Sequence, residues 1–294
     1  MSKAKYKKRY GDRADGRRLR TFPALNQVMS FIMAKRNDAC NYFSESVEIS
    51  EVDRWIRSIR REGYKGLGML HVFIAAYIRM LSHVPGLNRF VSGQRVFARN
   101  TIEVNFMVKR GLTIDAEETL VKVRFKPTDT IYDVYDRISD AVEDIKASPG
   151  DSGTEKIAGA MAKLPRLILR FAVSFLSFLD YFGWLPESIL DVSPFHGSII
   201  LTDLGSLGIP PVFHHLYNFG NLPVFLAFGA KRNSYELDRQ GNFVSKKYID
   251  YKVVCDERIC DGSYYAAGFK YMKYYLKNPD ELIYPPEHVT EDID

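Results

Sequence analysis

From Leu67 to Val84 the chain reads LGMLHVFIAAYIRMLSHV, and Pro85-Gly86 stops it. A helix this apolar has no polar face to turn to water, so it must be covered on nearly every side, and a sheet laid over it is the economical cover. The rest of the sequence supplies the strands for one. QRVFARNTIEVNFMVKR and TLVKVRFKP are rich in alternating β-branched and aromatic residues, GSIILTDLGSLGIPP, LPVFLAFGAKR and KKYIDYKVVCDE read as three more strands, and NYFSESVEI alternates imperfectly.

Amphipathic helices stand between them. Leu25, Val28, Met29, Ile32 and Met33 share one face of ALNQVMSFIMAKR, as Val52, Trp55, Ile56 and Ile59 share one of EVDRWIRSIRRE. Ser50 with Asp53 reads as an N-cap pair for the second, and Gly63 as its end. IYDVYDRISDAVEDIKA and SYYAAGFKYMKYYLKNP, the latter stopped by Pro279, complete the set, and Ser148–Gly153 is a loop. His71 and His83, on or near the apolar helix, read as structural. Helices and strands alternate without a repeating unit, which predicts an α/β sandwich of helices against a mixed sheet.

The 294 residues are 46% hydrophobic and 26% charged, ordinary for one large domain or two small ones. A net charge of +5 hides an asymmetry: residues 1–20 form a basic arm, and the last stretch, PDELIYPPEHVTEDID, is acidic. The arm can lie on that acidic tail, or on the tail of a neighbouring chain, or meet an anionic surface. No aromatic-interleaved basic helix or zinc pattern supports a nucleic-acid module. Cys40, Cys255 and Cys260 suit neither a disulfide framework nor a metal site. With no apolar signal core at the N-terminus, the expected location is the cytoplasm.

LPRLILRFAVSFLSFLDYFGWLP, Leu164–Pro186, is the most apolar stretch, yet Arg166, Arg170 and Asp180 interrupt it. The uncharged run between Arg170 and Asp180 is half of the about eighteen residues needed to span a bilayer. Two readings remain: a helix buried by the fold or by another subunit, and one lying in a membrane interface with its arginines at the headgroups.

Dinucleotide, Walker, Gly-x-Ser-x-Gly and His-Glu-x-x-His motifs are all missing. The C-terminal third is the informative part. DERICDGSYYAAGFKYMKYYLKNPDELI resembles the signature of the chloramphenicol acetyltransferase and dihydrolipoyl (2-oxoacid dehydrogenase) acyltransferase superfamily, Asp-His-Arg-x-x-Asp-Gly followed by a helix. GSIILTDLGSLG is similar to the family's Thr-Ile-Ser-Asn-Leu-Gly strand and turn, LPVFLAFGAKR to the strand after it, and MAKRNDACNYFSESVEI to the first helix and strand. The likeness runs from about Phe22 to Ile283 and is weakest between Gly150 and His196, where an apolar helical insertion stands at about 155–190. It implies one catalytic domain over 21–294, without the lipoyl-bearing and dehydrogenase-binding parts of the larger enzymes.

The resemblance further implies a homotrimer with its active site between subunits, coenzyme A or acyl-CoA as co-substrate, no metal, and a small-molecule acyl acceptor. In the family a histidine takes the acceptor's proton and a Ser or Thr hydroxyl holds the oxyanion. Thr202 occupies the hydroxyl position, Asp256 and Arg258 flank the histidine position, and Asp261-Gly262 close the motif. The histidine itself is replaced by Glu257.

A glutamate's ordinary pKa lies about two units below that of histidine, which weakens it as a base by roughly a hundredfold. Burial can recover that loss, and Arg258 can instead hold Glu257 in an ion pair. His214 and His215, in FHHLYNFGN, are candidates for a relocated base, and His196 is a lesser one. The expectation is therefore a CoA-dependent acyltransferase using Glu257, His214 or His215, with Phe171–Phe182 open to a hydrophobic acyl group or acceptor. The alternative is a catalytically silent trimer that binds a ligand, a partner or a membrane surface.

Overall fold

The computed structural model describes residues 8–109, 118–147 and 159–294. The strands are β1 (Gly16–Arg18), β2 (Cys40–Glu48), β3 (Arg89–Ser92), β4 (Arg95–Arg99), β5 (Ile102–Lys109), β6 (Glu118–Phe125), β7 (Ile199–Asp203), β8 (Val224–Phe228), β9 (Arg232–Leu237) and β10 (Phe243–Asp256). The helices are α1 (Ala24–Ile32), α2 (Ser50–Arg61), α3 (Met69–His83), α4 (Ile131–Ala147), α5 (Arg166–Phe182), α6 (Glu187–Val192) and α7 (Gly262–Lys277). The Ser148–Gly153 loop lies outside the described residues.

The large sheet runs β2-β10-β8-β7-β5-β6, with β9 on the projecting half of β10. It is mixed: β8 and β5 pair parallel to β7, whereas β10 pairs antiparallel with β2, β8 and β9, and β6 with β5. Period two then sorts the side chains. Ile199, Leu201, Val224, Leu226, Phe228, Tyr251 and Val253 face the helices and are buried. Against them lies α3, buried from His71 to Ser82, with Phe73 stacked on Phe228 at 4.5 Å.

His71 and His83 are structural. The His71 Nδ1 accepts from the Gly68 amide at 3.1 Å, and burial takes its pKa down to about 4. His83 stacks on Tyr271 and meets the Tyr275 hydroxyl at 2.7 Å.

QRVFARNTIEVNFMVKR is not one strand. The chain changes sheets at Asn100-Thr101, leaving β4 in a small sheet, β1-β4-β3, and β5 in the large one. Ser50 and Asp53 do not form an N-cap either. The Ser50 hydroxyl accepts the Lys247 amide at 3.0 Å, tying α2 to β10, and the Asp53 carboxylate is taken by Lys231, Lys247 and Arg57.

The described part of the basic arm lies on the chain's own acidic end. Arg17 donates to the carbonyls of Asp292 and Ile293 at 2.7 and 2.5 Å, Arg89 clasps the Asp292 carboxylate, and Arg9 pairs with Asp294.

α5 behaves unlike α3. The fold does not bury it: Leu167 is 77% exposed, Phe171 71%, and Phe175, Phe178 and Phe182 about half. It is held near its C-terminal end, where Asp180 is buried beside Arg13 (2.6 Å) and His196 (3.4 Å) and its carbonyl accepts from Ser92 at 3.0 Å. Burial pushes the Asp180 carboxyl up, but His196 first and Arg13 second outweigh it and hold the carboxyl below its ordinary range, while Arg13 also pairs with Asp15 at 2.8 Å. The turn between β3 and β4 abuts this anchor. Gly93 takes φ +54°, and a Cβ there would collide with the Tyr181 carbonyl oxygen.

Candidate active site

β10 delivers the signature to the end of the sheet and stops at Asp256, whose carboxylate is fully buried. An isolated buried carboxylate would be costly, and two guanidinium groups answer it. Arg258 grips it in the bidentate manner, Nε at 2.8 Å and Nη2 at 2.7 Å, and Arg36 stands 3.3 Å away on the other side. Both arginines reach on to backbone: Arg258 to the Met33 carbonyl at 3.0 Å, Arg36 to those of Tyr217 and Val91 at 2.7 and 3.0 Å. Burial works against the Arg36 charge and lowers its pKa, with Asp256 opposing. The Tyr265 hydroxyl completes the knot by donating to the Asp256 carbonyl at 2.7 Å.

That knot settles the partner of Arg258. The expected Arg258–Glu257 ion pair does not form, because Arg258 is committed to Asp256. Glu257 is exposed on the turn, its amide donating to the Ala39 carbonyl at 2.8 Å. Among the described residues its carboxylate has no hydrogen-bond or ion-pair partner. Asp261 caps α7 by accepting the Tyr264 amide at 2.8 Å and the Ser263 hydroxyl at 2.6 Å, which lowers its pKa, the Ser263 contact contributing most. Gly262 opens that helix, and an added Cβ would meet nothing within 4 Å.

Thr202 lies half-buried on β7, on the sheet face opposite the helices. The segment after β7 folds over that face. Phe213 meets Tyr42 edge-on at 5.4 Å with Lys252 Nζ 4.7 Å from its ring, and Leu216 packs with Ile200, Phe225 and Val254. His214 stacks flat on Phe225 at 4.1 Å, its Nε2 without a partner; burial, and then the neighbouring His215, lower its pKa. His215 is exposed, edge-on to Tyr217 at 5.1 Å. His196 is a core residue, bonded to the Ser193 hydroxyl at 2.7 Å, and burial lowers its pKa.

Register shows which candidates meet. Thr202 is level with Ala227 on β8 and Lys252 on β10. Phe225, which carries His214, is one strand over and two residues along, about 8 Å from Thr202. Glu257 is two strands over and five residues beyond Lys252, about 20 Å away. Thr202 and His214 therefore share a neighbourhood, and Glu257 of the same chain is not in it.

Sequence reasoning missed Arg36, which sits in the quoted MAKRNDAC but far along the chain from its partner, so no spacing rule announces it. It also missed a cavity of about 270 Å³ lined by Lys35, Arg36, Gln94, Ser177, Asp180 and Arg258. Cys255 and Cys260 are buried, the latter pushed up to about 12 by that burial. No group of three His, Cys, Asp or Glu among the described residues is placed to hold a metal, and no helix among them is long and apolar enough to cross a membrane.

No protein-family profile matches this sequence, and no curated protein does. Solved structures do match. A probable dihydrolipoamide acetyltransferase from Listeria monocytogenes superposes with a TM-score of 0.54 at 13% identity, over 87% of this chain and 92% of its own. The cubic core of the pyruvate dehydrogenase multienzyme complex gives 0.53 at 14%, over 93% and 95%. A chloramphenicol acetyltransferase gives 0.51 at 12%, over 86% and 94%. The chain thus has the fold of the chloramphenicol acetyltransferase and 2-oxoacid dehydrogenase acyltransferase catalytic domains.

Proposed function

We propose that the protein is a CoA-dependent acyltransferase, cytoplasmic and trimeric, whose site closes only when Glu257 of one subunit meets Thr202 and His214 of the next. The observation that carries this reading is the distance of about 20 Å between Thr202 and Glu257 within one chain. Each chain offers two half-sites that cannot serve each other. The catalytic mechanism of the Azotobacter vinelandii dihydrolipoamide acetyltransferase, a neighbour in fold, has been studied through a serine, a histidine and an asparagine. Here Thr202, Glu257 and Asp261 would take those places.

In this reading the acceptor's thiol, hydroxyl or amine attacks the thioester carbonyl while its proton passes to Glu257 or His214. The Thr202 hydroxyl donates to the oxyanion. Collapse expels the CoA thiolate, and the proton returns to it. Asp256, Arg258 and Arg36 touch no reactant; they fix the turn on which Glu257 stands.

Calorimetry with CoA, acetyl-CoA and long-chain acyl-CoA, followed by acyl-transfer assays, tests the proposal. Glu257→Gln is expected to lower kcat by about a hundredfold or more with little change in KM, and Glu257→His to restore activity. Absence of CoA and acyl-CoA binding would end the enzyme reading. A second reading, a silent homologue that keeps the fold for binding, is favoured by one observation: none of the described residues orients the Glu257 carboxylate. It would be supported if acyl-CoA binds and neither substitution alters turnover.

A further inference from the structure

From Met161 to Trp184 the chain presents an apolar surface with a charge pattern of its own. Leu167, Phe171, Phe175, Phe178 and Phe182 recur at helical spacing along the exposed side of α5, and Trp184, 63% exposed, stacks on Phe182 at 4.9 Å just beyond the helix. A monomeric protein does not leave a patch of this kind bare without a partner for it.

The charges name the partner. Lys163, Arg166 and Arg170 are exposed at the N-terminal end and make no ion pair among the described residues. Between Lys163 and Pro186 the acidic residue is Asp180, and it is turned inward to Arg13 and His196. Three cations at the positive end of a helix dipole repel it, and nothing in the helix compensates them. A protein groove would have to supply both apolar area and carboxylates in this order. An anionic bilayer supplies both as a matter of course: acyl chains for the phenylalanines, phosphates for the cations, and an interfacial zone for Tyr181 and Trp184.

We propose that α5 lies in the plane of an anionic membrane surface, apolar side down. A helix of 17 residues is about 25 Å long, enough to lie in the interface and too short to cross it. A second apolar helix shares its footing. α1 exposes Leu25 (72%) and Ile32 (68%), its Ser30 hydroxyl donates to the Gln94 carbonyl at 2.7 Å, and the Tyr181 hydroxyl donates to the Gln94 side chain at 2.8 Å. The cavity with Lys35, Arg36 and Arg258 opens beside that same turn, so docking places the neighbour of Glu257 close to the lipid. The docking proposal does not depend on acyl transfer taking place.

Co-sedimentation of the full chain with vesicles of phosphatidylcholine alone, and of phosphatidylcholine with phosphatidylglycerol, tests it, together with light scattering of the same variants in lipid-free buffer. The expected result is binding to the anionic vesicles, weak or no binding to the neutral ones, and a blue shift of tryptophan emission that Trp184→Phe removes. Arg166→Gln and Arg170→Gln should each weaken binding about fivefold, the worth of one basic residue at an anionic surface. The double variant Phe171→Ser/Phe175→Ser should abolish it while leaving circular dichroism unchanged, since both side chains are exposed. Equal affinity for neutral and anionic vesicles, or no affinity for either, would overturn the proposal. So would a fall in molecular mass in the Phe171/Phe175 variant, which would assign this face to a second copy of the chain.

Discussion

α3 and α5 are about equally apolar and have opposite fates. α3 lies under the large sheet, covered from His71 to Ser82, and even its Arg79 finds carbonyl acceptors in Glu281 and Tyr284. α5 keeps one residue buried, Asp180, and turns its phenylalanines outward. The core holds the first by dispersion and apolar burial along its length; the second hangs from a polar anchor at one end. Apolar composition shows that cover is needed and says nothing about who provides it.

Phe73→Ala should cost about 4 kcal/mol in urea unfolding, because Phe73 is fully buried and stacked on Phe228. A loss below about 1 kcal/mol would mean that α3 is less tightly packed than its burial implies. Next comes acidification. His71 has its pKa lowered to about 4 in the folded state by burial, with the charge of Arg60 acting the same way. Between about pH 6.5 and 4 the unfolded chain binds a proton that the folded chain refuses, so stability falls as pH falls through that window. The loss should reach roughly 3 kcal/mol, and His71→Gln should flatten this part of a pH–stability profile.

Asp180→Asn should cost about 2 kcal/mol, because Arg13 stays buried with Asp15 as its remaining carboxylate. Hydrogen exchange in α5 should rise more than in α3; equal protection of both helices would show that α5 has another hold. The smallest effect belongs to Phe175→Ser on α5, within about 0.5 kcal/mol of wild type in lipid-free buffer. A larger loss would mean that the face is covered in solution.

The same contrast explains what the sequence disclosed. Alternating runs such as TLVKVRFKP and the uninterrupted apolar run of α3 are local signals, and they announced strands and a covered helix directly. β1, β3 and β9 went unnoticed because three to six residues with Arg, Asn or Ser among them carry little period; their pairing partners, not their composition, make them strands. At the end of β10, Asp256, Arg258 and Asp261 were singled out by the resemblance of one motif to the family signature. The second guanidinium on Asp256 was not, since Arg36 reaches it only after β2 has paired with β10. The same folding put Glu257 about 20 Å from Thr202, a relation that register determines and the alternation of neither strand contains.

The left-handed turn at Gly93 has a mechanical consequence. With no side chain, its backbone touches the Tyr181 carbonyl and sets the gap between the small sheet and the end of α5. Any larger residue would act as a wedge there, prying the projecting helix outward about its Asp180 pivot, so one missing methyl group gauges the tilt at which this arm leaves the body.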